Sequence, residues 1–288
     1  VNDSIQPRPG TEIADGVRVF QSPLWQTNAT VIESDSHVLL CDPAMFVPEI
    51  EAIRRYALAR PERSATVLLT HADFDHTSGI PYIPEATVVA GEDTAERVAN
   101  GGAADYLISA GQEWGAEWRS DVRVDRVVSG GSRFECGPWT IEAIPAASHG
   151  REGTAFAVLE PGVMFVGDHL SAITIPLLAN LTRAIAAMEL LVDALHRLDL
   201  RLVVPGHGPV HSLPEAREIA EADLAYLRAI REAASEALQE DQPPGEALLY
   251  VYAVEPPRPD TPDFAIYGIR TANARLALEE ARQGEHHV

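Results

Sequence analysis

Residues 71–76 read HADFDH, which places His71, Asp73, Asp75 and His76 within six residues, directly after the apolar run ATVLLT at 65–70. Imidazoles and carboxylates at that density form the donor set of a divalent cation site, because both present lone pairs to a metal. Three further candidates lie downstream. His149 follows WTIEAIPA (139–146), Asp168 ends GVMFVGD (162–168) and His207 follows RLVVP at 201–205. Each comes at the C-terminal end of a strand-like segment, where loops on a rigid sheet can hold side chains in convergence. A lone loop histidine is ordinarily a solvated surface residue, so it is the ordered set that carries the expectation of a shared metal site.

The elements that must position these residues alternate between strand-like and helix-like segments. GVRVFQSP (16–23), ATVIES (29–34) and HVLLCD (37–42) read as short strands, with a hairpin turn at 35–37. Ile50, Ile53, Tyr56, Ala57 and Leu58 give an apolar face to a helix over 47–60. Further strands are predicted at 65–70, 86–91, 122–128, 139–146, 154–160 and 162–168, and 201–208 is a strand running into a glycine turn. Helices are predicted from about 93, over 182–199, over 214–240 and over 267–283, with proline-rich 243–263 as a connection. Trp114 and Trp118 stand four apart, a spacing that lets them share a helix face and pack in the core. Two blocks of strands interspersed with helices argue for α/β layers with substantial antiparallel content.

The 288 residues suit one large domain, alone or with an appendage, and a hydrophobic fraction of 46% suffices for a packed core. The chain carries 22 basic against 43 acidic residues, a net charge of −21, and every basic residue is arginine. Without lysine, Schiff-base and P-loop chemistry are excluded. The acidic balance disfavours a nucleic-acid partner, whose phosphates demand cations. No stretch approaches the roughly 18 apolar residues of a membrane span, and no basic-then-apolar leader opens the sequence. No membrane association and a cytoplasmic location are therefore expected. Cys41 and Cys136 lie far apart, outside any CxxC pair, and are expected as buried thiols rather than a disulfide.

The ordered set HADFDH, His149, GD at 167–168 and PGHG at 205–208, preceded by LLCDPA at 39–44, resembles the metallo-β-lactamase superfamily over roughly residues 13–211. The resemblance implies an α/β (α+β) fold, an αββα sandwich of two mixed β-sheets flanked by helices, with the site at one edge. On that basis residues 1–213 form the domain and 214–288 a helical extension packed on it. The resemblance also implies two divalent metal ions, zinc first. The first site would take His71, Asp73 and His149, the second Asp75, His76 and His207, with Asp168 bridging both. Asp42 matches the family's buried aspartate, which supports the site loop. Two cations close together acidify a water between them, so that hydroxide attacks a carbonyl or phosphoryl group polarised by one metal. Asp75 is then the catalytic residue, holding its metal and orienting or relaying the water's proton.

Two positions depart from the family pattern. His149 stands in ASHGREGT rather than in GHTxG, and Asp73 stands where the common motif has histidine. An anionic oxygen in place of a neutral nitrogen tilts the first site toward manganese or iron and adds negative charge beside Asp168. The competing role for Asp73 is to cap a helix that begins near Thr77. The reading that follows is a metal-dependent hydrolase acting on a carboxyl-derived bond (thioester, lactone, ester or amide) of a small-molecule substrate. Alternatives are a mononuclear iron oxygenase on His71, His149 and a carboxylate, a small-molecule phosphodiesterase, and a non-catalytic protein binding a partner through its C-terminal helices. A cytoplasmic location speaks against antibiotic defence as a β-lactamase. Those helices are expected either to cover the pocket or to form a homodimer contact. The apolar run at 170–181 passes the site mouth as pocket wall or as core. Arg151 is placed to meet an anionic substrate and His169 to orient a ligand, each against a plain surface or packing role. His196 and His211 read as surface or helix-face residues.

Overall fold

Alternation within single strands sets the layers of the fold in the computed structural model, which describes residues 8–43, 45–147, 149–258 and 263–285. The first sheet runs in chain order: β1 (Thr11–Ala14), β2 (Val17–Gln21), β3 (Asn28–Glu33), β4 (His37–Cys41), β5 (Ser64–Leu69), β6 (Thr87–Gly91) and β7 (Arg126–Val128). It is antiparallel as far as β4 and parallel from β4 to β7. The second sheet comprises β8 (Arg133–Cys136), β9 (Trp139–Pro145), β10 (Thr154–Val158), β11 (Val163–Phe165), β12 (Leu202–Val204) and β13 (His211–Ser212), stacked in the reverse order from β13 to β8. Its one parallel pair among the described residues is β11 with β12.

Successive side chains of a strand point to opposite faces. Leu39, Cys41 and Leu68 therefore pack between the sheets against Phe156, Phe165 and Val204. Their neighbours Val38, Leu40, Val67 and Leu69 face outward, where Ile53 and Ala57 of α1 (Val47–Ala57) and Leu107 and Ala110 of α4 (Gly102–Trp114) cover them. On the far side Ile144, Ala155, Met164 and Val203 pack against α5 (Leu181–Arg197), α6 (Leu213–Gln239), α7 (Pro244–Tyr252) and α8 (Asp263–Glu285). The result is the expected αββα sandwich of two mixed sheets. Strands covered on both faces read as continuous apolar runs, as β5 does. Ser212 and Glu215 close a capping box at the start of α6, with Pro214 inside its first turn. Among the described residues no helix is long and apolar enough to cross a membrane. Cys41 and Cys136 are buried and free.

Several local expectations are corrected. Trp114 and Trp118 do not share a helix, because α4 ends at Trp114 where Gly115 turns left-handed at φ 61°. Trp118 lies beyond it, its indole donating to the Met45 carbonyl at 2.8 Å. The connection predicted at 243–263 contains α7, with Pro244 at a first-turn position that needs no amide hydrogen. Of 122–128 only Arg126–Val128 pairs as a strand, and just before it the Asp125 carboxylate accepts the Val88 amide at 2.8 Å. The short strands β1, β8 and β13 were not anticipated, and the helix expected to begin near Thr77 is instead the single-turn α2 (Phe74–Thr77), which ends there.

Candidate metal centre

The parallel pairs β4–β5 and β11–β12 place their C-terminal ends side by side, and the candidate residues gather there. Asp42 follows β4 at φ 44°, a left-handed conformation that aspartate tolerates better than most residues. Its carboxylate accepts the Thr70 amide (2.9 Å), the Thr70 hydroxyl (2.6 Å) and His76 Nδ1 (3.0 Å). With its proton committed to Asp42, the Thr70 oxygen is left to accept His71 Nδ1 at 3.0 Å. One buried carboxylate thus orients both imidazoles with Nε2 outward, the arrangement that tunes metal-binding histidines. His207 is set in the same way, its Nδ1 lying 3.1 Å from the Trp25 carbonyl. Asn28 fixes the loop that carries it, donating from Nδ2 to the carbonyls of Pro205 (2.9 Å) and Gly208 (2.8 Å).

The freed atoms converge. Asp168 Oδ1 lies 3.1 Å from His76 Nε2 and 3.3 Å from His207 Nε2, while its Oδ2 lies 3.4 Å from His149 Nδ1 and 3.7 Å from His71 Nε2. Asp75 Oδ2 is 3.3 Å from His207 Nε2 and 3.7 Å from His76 Nε2. Three triads each hold ligand atoms within 4.8 Å of one another: His71–Asp73–His149, Asp75–His76–His207 and His71–His76–Asp168. His71 Nε2, His76 Nε2 and Asp168 Oδ1 are buried and none makes a well-aligned hydrogen bond, although His76 Nε2 and Asp168 Oδ1 face each other at 3.1 Å. Orphaned buried acceptors of this kind need an explanation, and a cation among them supplies one. Gly206 keeps the space open, because a Cβ there would stand 2.6 Å from Asp168 Oδ1 and 2.8 Å from the His76 ring. Mixed imidazole and carboxylate donors suit zinc and the first-row ions beside it.

Asp73 stands at the N-cap of α2, yet its side chain makes no capping hydrogen bond. Its Oδ2 meets His149 Nε2 at 2.6 Å, and its Oδ1 accepts Arg97 at 2.8 Å. The capping role is therefore not what this side chain does. Arg97, from α3 (Glu92–Ala99), also donates to Glu152 at 2.5 Å, and Glu152 accepts the Ala72 amide at 3.2 Å. The negative charge that Asp73 brings is thus offset by a guanidinium. Sequence reasoning missed both Arg97 and Glu152. A lone arginine on an amphipathic helix carries no signal of its own. Glu152, in the loop around His149, offered only proximity.

In the metal-free chain these carboxylates favour the protonated imidazoles. Burial opposes charging of His149, but the Asp73 hydrogen bond and the Asp168 charge outweigh it and push its pKa up to about 9. Burial likewise opposes His207, and Asp168 and Asp75 push it up to about 10. His76 is held well above the usual imidazole range against its burial, by Asp75, Asp168 and Asp42. Asp168 is held well below the carboxylate range by His207, His71 and His76 despite burial. Metal ligands must be deprotonated to bind. Zinc added to the metal-free chain at about pH 7 should therefore release roughly two to three protons from these imidazoles. Calorimetry in two buffers of different ionisation enthalpy reads that number, and apparent affinity should rise with pH. Binding without proton release would place the cation elsewhere.

The remaining histidines divide. His169 is buried, its Nε2 facing the Ala146 carbonyl at 3.0 Å, and burial drives its pKa down to about 4, so it is neutral. His196 is exposed beside Glu221, as anticipated. His211 is buried in β13 with Nε2 at 3.0 Å from the Leu170 carbonyl, which corrects the surface assignment. Arg151 is exposed and borders a cleft that also reaches Asp73, His149, Arg97 and Arg183. Trp114 and Trp118 are half-buried, Trp114 packing edge-on against Trp25 at 5.2 Å and Trp118 lying 5.5 Å from Phe74.

A sequence model of the Metallo-beta-lactamase superfamily matches residues 22–207. No curated protein matches the chain by sequence. Among solved structures, a metallo-beta-lactamase from Hirschia baltica is similar with a TM-score of 0.53 at 20% identity, covering 77% of this chain and 98% of that one. FIM-1 from Pseudomonas aeruginosa, in its mono-zinc form, gives 0.55 at 16% identity, with coverages of 77% and 98%. The stereoselective inverting sec-alkylsulfatase Pisa1 from Pseudomonas sp. gives 0.72 at 12% identity over 94% of this chain, which spans 50% of that enzyme. At these identities the likeness is one of fold.

Proposed function

The chain belongs to the metallo-β-lactamase superfamily, and from that premise we propose that it is a metal-dependent hydrolase of a carboxyl-derived bond in a small molecule. The observation that carries this reading is the convergence of buried ligand atoms, with Asp168 between His76 and His207 on one side and His71 and His149 on the other. In this reading His71, Asp73 and His149 hold one cation, and Asp75, His76 and His207 a second. Asp168 serves both, its two oxygens being divided between the two sets of histidines. Bound there, the pair would supply Lewis acidity and an acidified water near neutral pH.

The chain's own groups do the rest. Asp75 Oδ2, 3.3 Å from His207 Nε2, would hold the second cation with that histidine, and the other carboxylate oxygen is left to orient the attacking water and take its proton. Asp42 and Thr70 keep the tautomers of His71 and His76 fixed through the cycle. Arg97 offsets the charge of Asp73, while the oxygen donor itself keeps manganese and iron beside zinc as candidate metals. The shared core of the second sheet with α6–α8 supports reading 214–288 as an extension packed on the 1–213 domain.

Thioesters, lactones, esters and amides come first because the space beside the centre is mostly apolar and the chain repels multiply charged anions with its net charge of −21. The fold likeness to an alkylsulfatase adds sulfate esters and small phosphodiesters to the same screen. Elemental mass spectrometry on protein purified without chelators or tags, followed by that screen, tests the proposal. Two zinc or manganese ions per chain with turnover of one ester class is the expected result. A single iron without hydrolysis would replace it with the oxygenase on His71, His149 and a carboxylate.

A further inference from the structure

Beside the candidate centre lies a cavity of about 110 Å3, bordered there by His149, Asp168 and His207. Most of its remaining wall is apolar. Ile175 and Leu178 come from the segment after Asp168, Ala184 and Met188 from α5, and Leu227 from α6. Charge enters the wall as a matched pair: Asp223, 1% exposed, meets the Arg258 guanidinium at 2.7 Å. Arg258 Nε is further committed to the Thr174 carbonyl at 2.7 Å, which straps the segment after Asp168 to α6. A buried pair so matched presents little net charge to a ligand. The apolar run at 170–181 is therefore wall as well as core.

We propose that this cavity receives an apolar substituent of the substrate, an alkyl chain or small aryl group attached to the scissile bond, and that α5 and α6 set the length it accepts. The proposal rests on the hydrolase reading of the adjoining centre. The space is somewhat smaller than an engineered cavity of about 150 Å3 that takes benzene, so it holds on the order of five carbon atoms. Each buried methylene should then strengthen binding about three- to fourfold until the cavity is full.

The test uses the full, metal-loaded chain and the unbranched carboxylates from acetate to octanoate, titrated calorimetrically, with their 4-nitrophenyl esters and thioesters assayed in parallel. Affinity should climb three- to fourfold per carbon to about pentanoate or hexanoate and then level off. Ala184→Leu should flatten the series beyond propionate, and Met188→Ala should move the plateau one or two carbons further, both with metal content unchanged. Affinity independent of chain length, no binding of any carboxylate, or a series untouched by both variants would overturn the proposal. Chain-length-dependent binding with no turnover of any ester, thioester, lactone, amide or sulfate ester carrying those chains would keep the subsite and overturn the hydrolase reading instead.

Discussion

Asp168→Ala should abolish hydrolysis and lower bound metal from two ions per chain to one or none. The expectation rests on where the two carboxylate oxygens sit. Oδ1 faces His76 and His207 and Oδ2 faces His71 and His149, so one truncation withdraws a ligand from both proposed cations. Residues that only orient ligands cost about 10–100-fold in affinity or activity when changed, so losing a shared ligand should exceed about 100-fold. The fold should survive, because no backbone element is anchored through this side chain, although the metal-free variant loses the carboxylate that the imidazoles of His76, His149 and His207 face. At about pH 7 the metal-free variant should unfold at a lower temperature than the metal-free parent, because buried imidazoles lose their counter-charge, while the stabilisation the parent gains from zinc should largely disappear. His196→Ala, at an exposed pair on α5, is the matched control and should change neither readout. A variant that keeps two ions and full turnover would remove Asp168 from the centre.

What could be read from the chain alone follows from how local each signal is. β5 and the HADFDH loop were legible because an apolar β-branched run followed at once by four potential ligands is contained in twelve residues. The order of strands around His149, Asp168 and His207 was legible for the same reason. Arg97 was not, because its meaning lies in a contact with Asp73 across 24 positions of sequence. The tautomer control through Asp42, Thr70 and two histidines is likewise a property of strand ends brought together by parallel pairing. At α7 the prolines misled, since Pro243 and Pro244 mark the start of a helix there instead of a break. Within the cavity wall, Ile175 and Leu178 could not be separated from ordinary core residues by hydrophobicity, because both roles demand the same side chains.

Asp73→His should sharpen selectivity for zinc over manganese while weakening the binding of both. Imidazole in place of carboxylate softens the donor set, and on that ground alone the variant would gain zinc. The guanidinium of Arg97 reverses the sign of the affinity change. It lies 2.8 Å from Asp73 Oδ1 and, among the described residues, has Glu152 as its one further carboxylate partner. With the Asp73 charge gone, Arg97 keeps its own beside the incoming cation. At roughly 5 Å and an effective dielectric constant of about 20, a guanidinium and a divalent cation repel by about 6 to 7 kcal/mol; Glu152 beside Arg97 offsets about half of this, which leaves a loss of about two orders of magnitude in affinity. Asp73→His combined with Arg97→Gln should recover most of this loss, giving a first site that binds zinc more tightly than the single variant. The two changes should therefore be strongly non-additive, as expected for residues in contact. Zinc affinities for the four proteins of the cycle, measured by competition with a chromogenic chelator, decide the matter. If Asp73→His alone already binds zinc more tightly than the parent, Arg97 exerts no field at the site. If the cycle is additive, its contact with Asp73 is structural only.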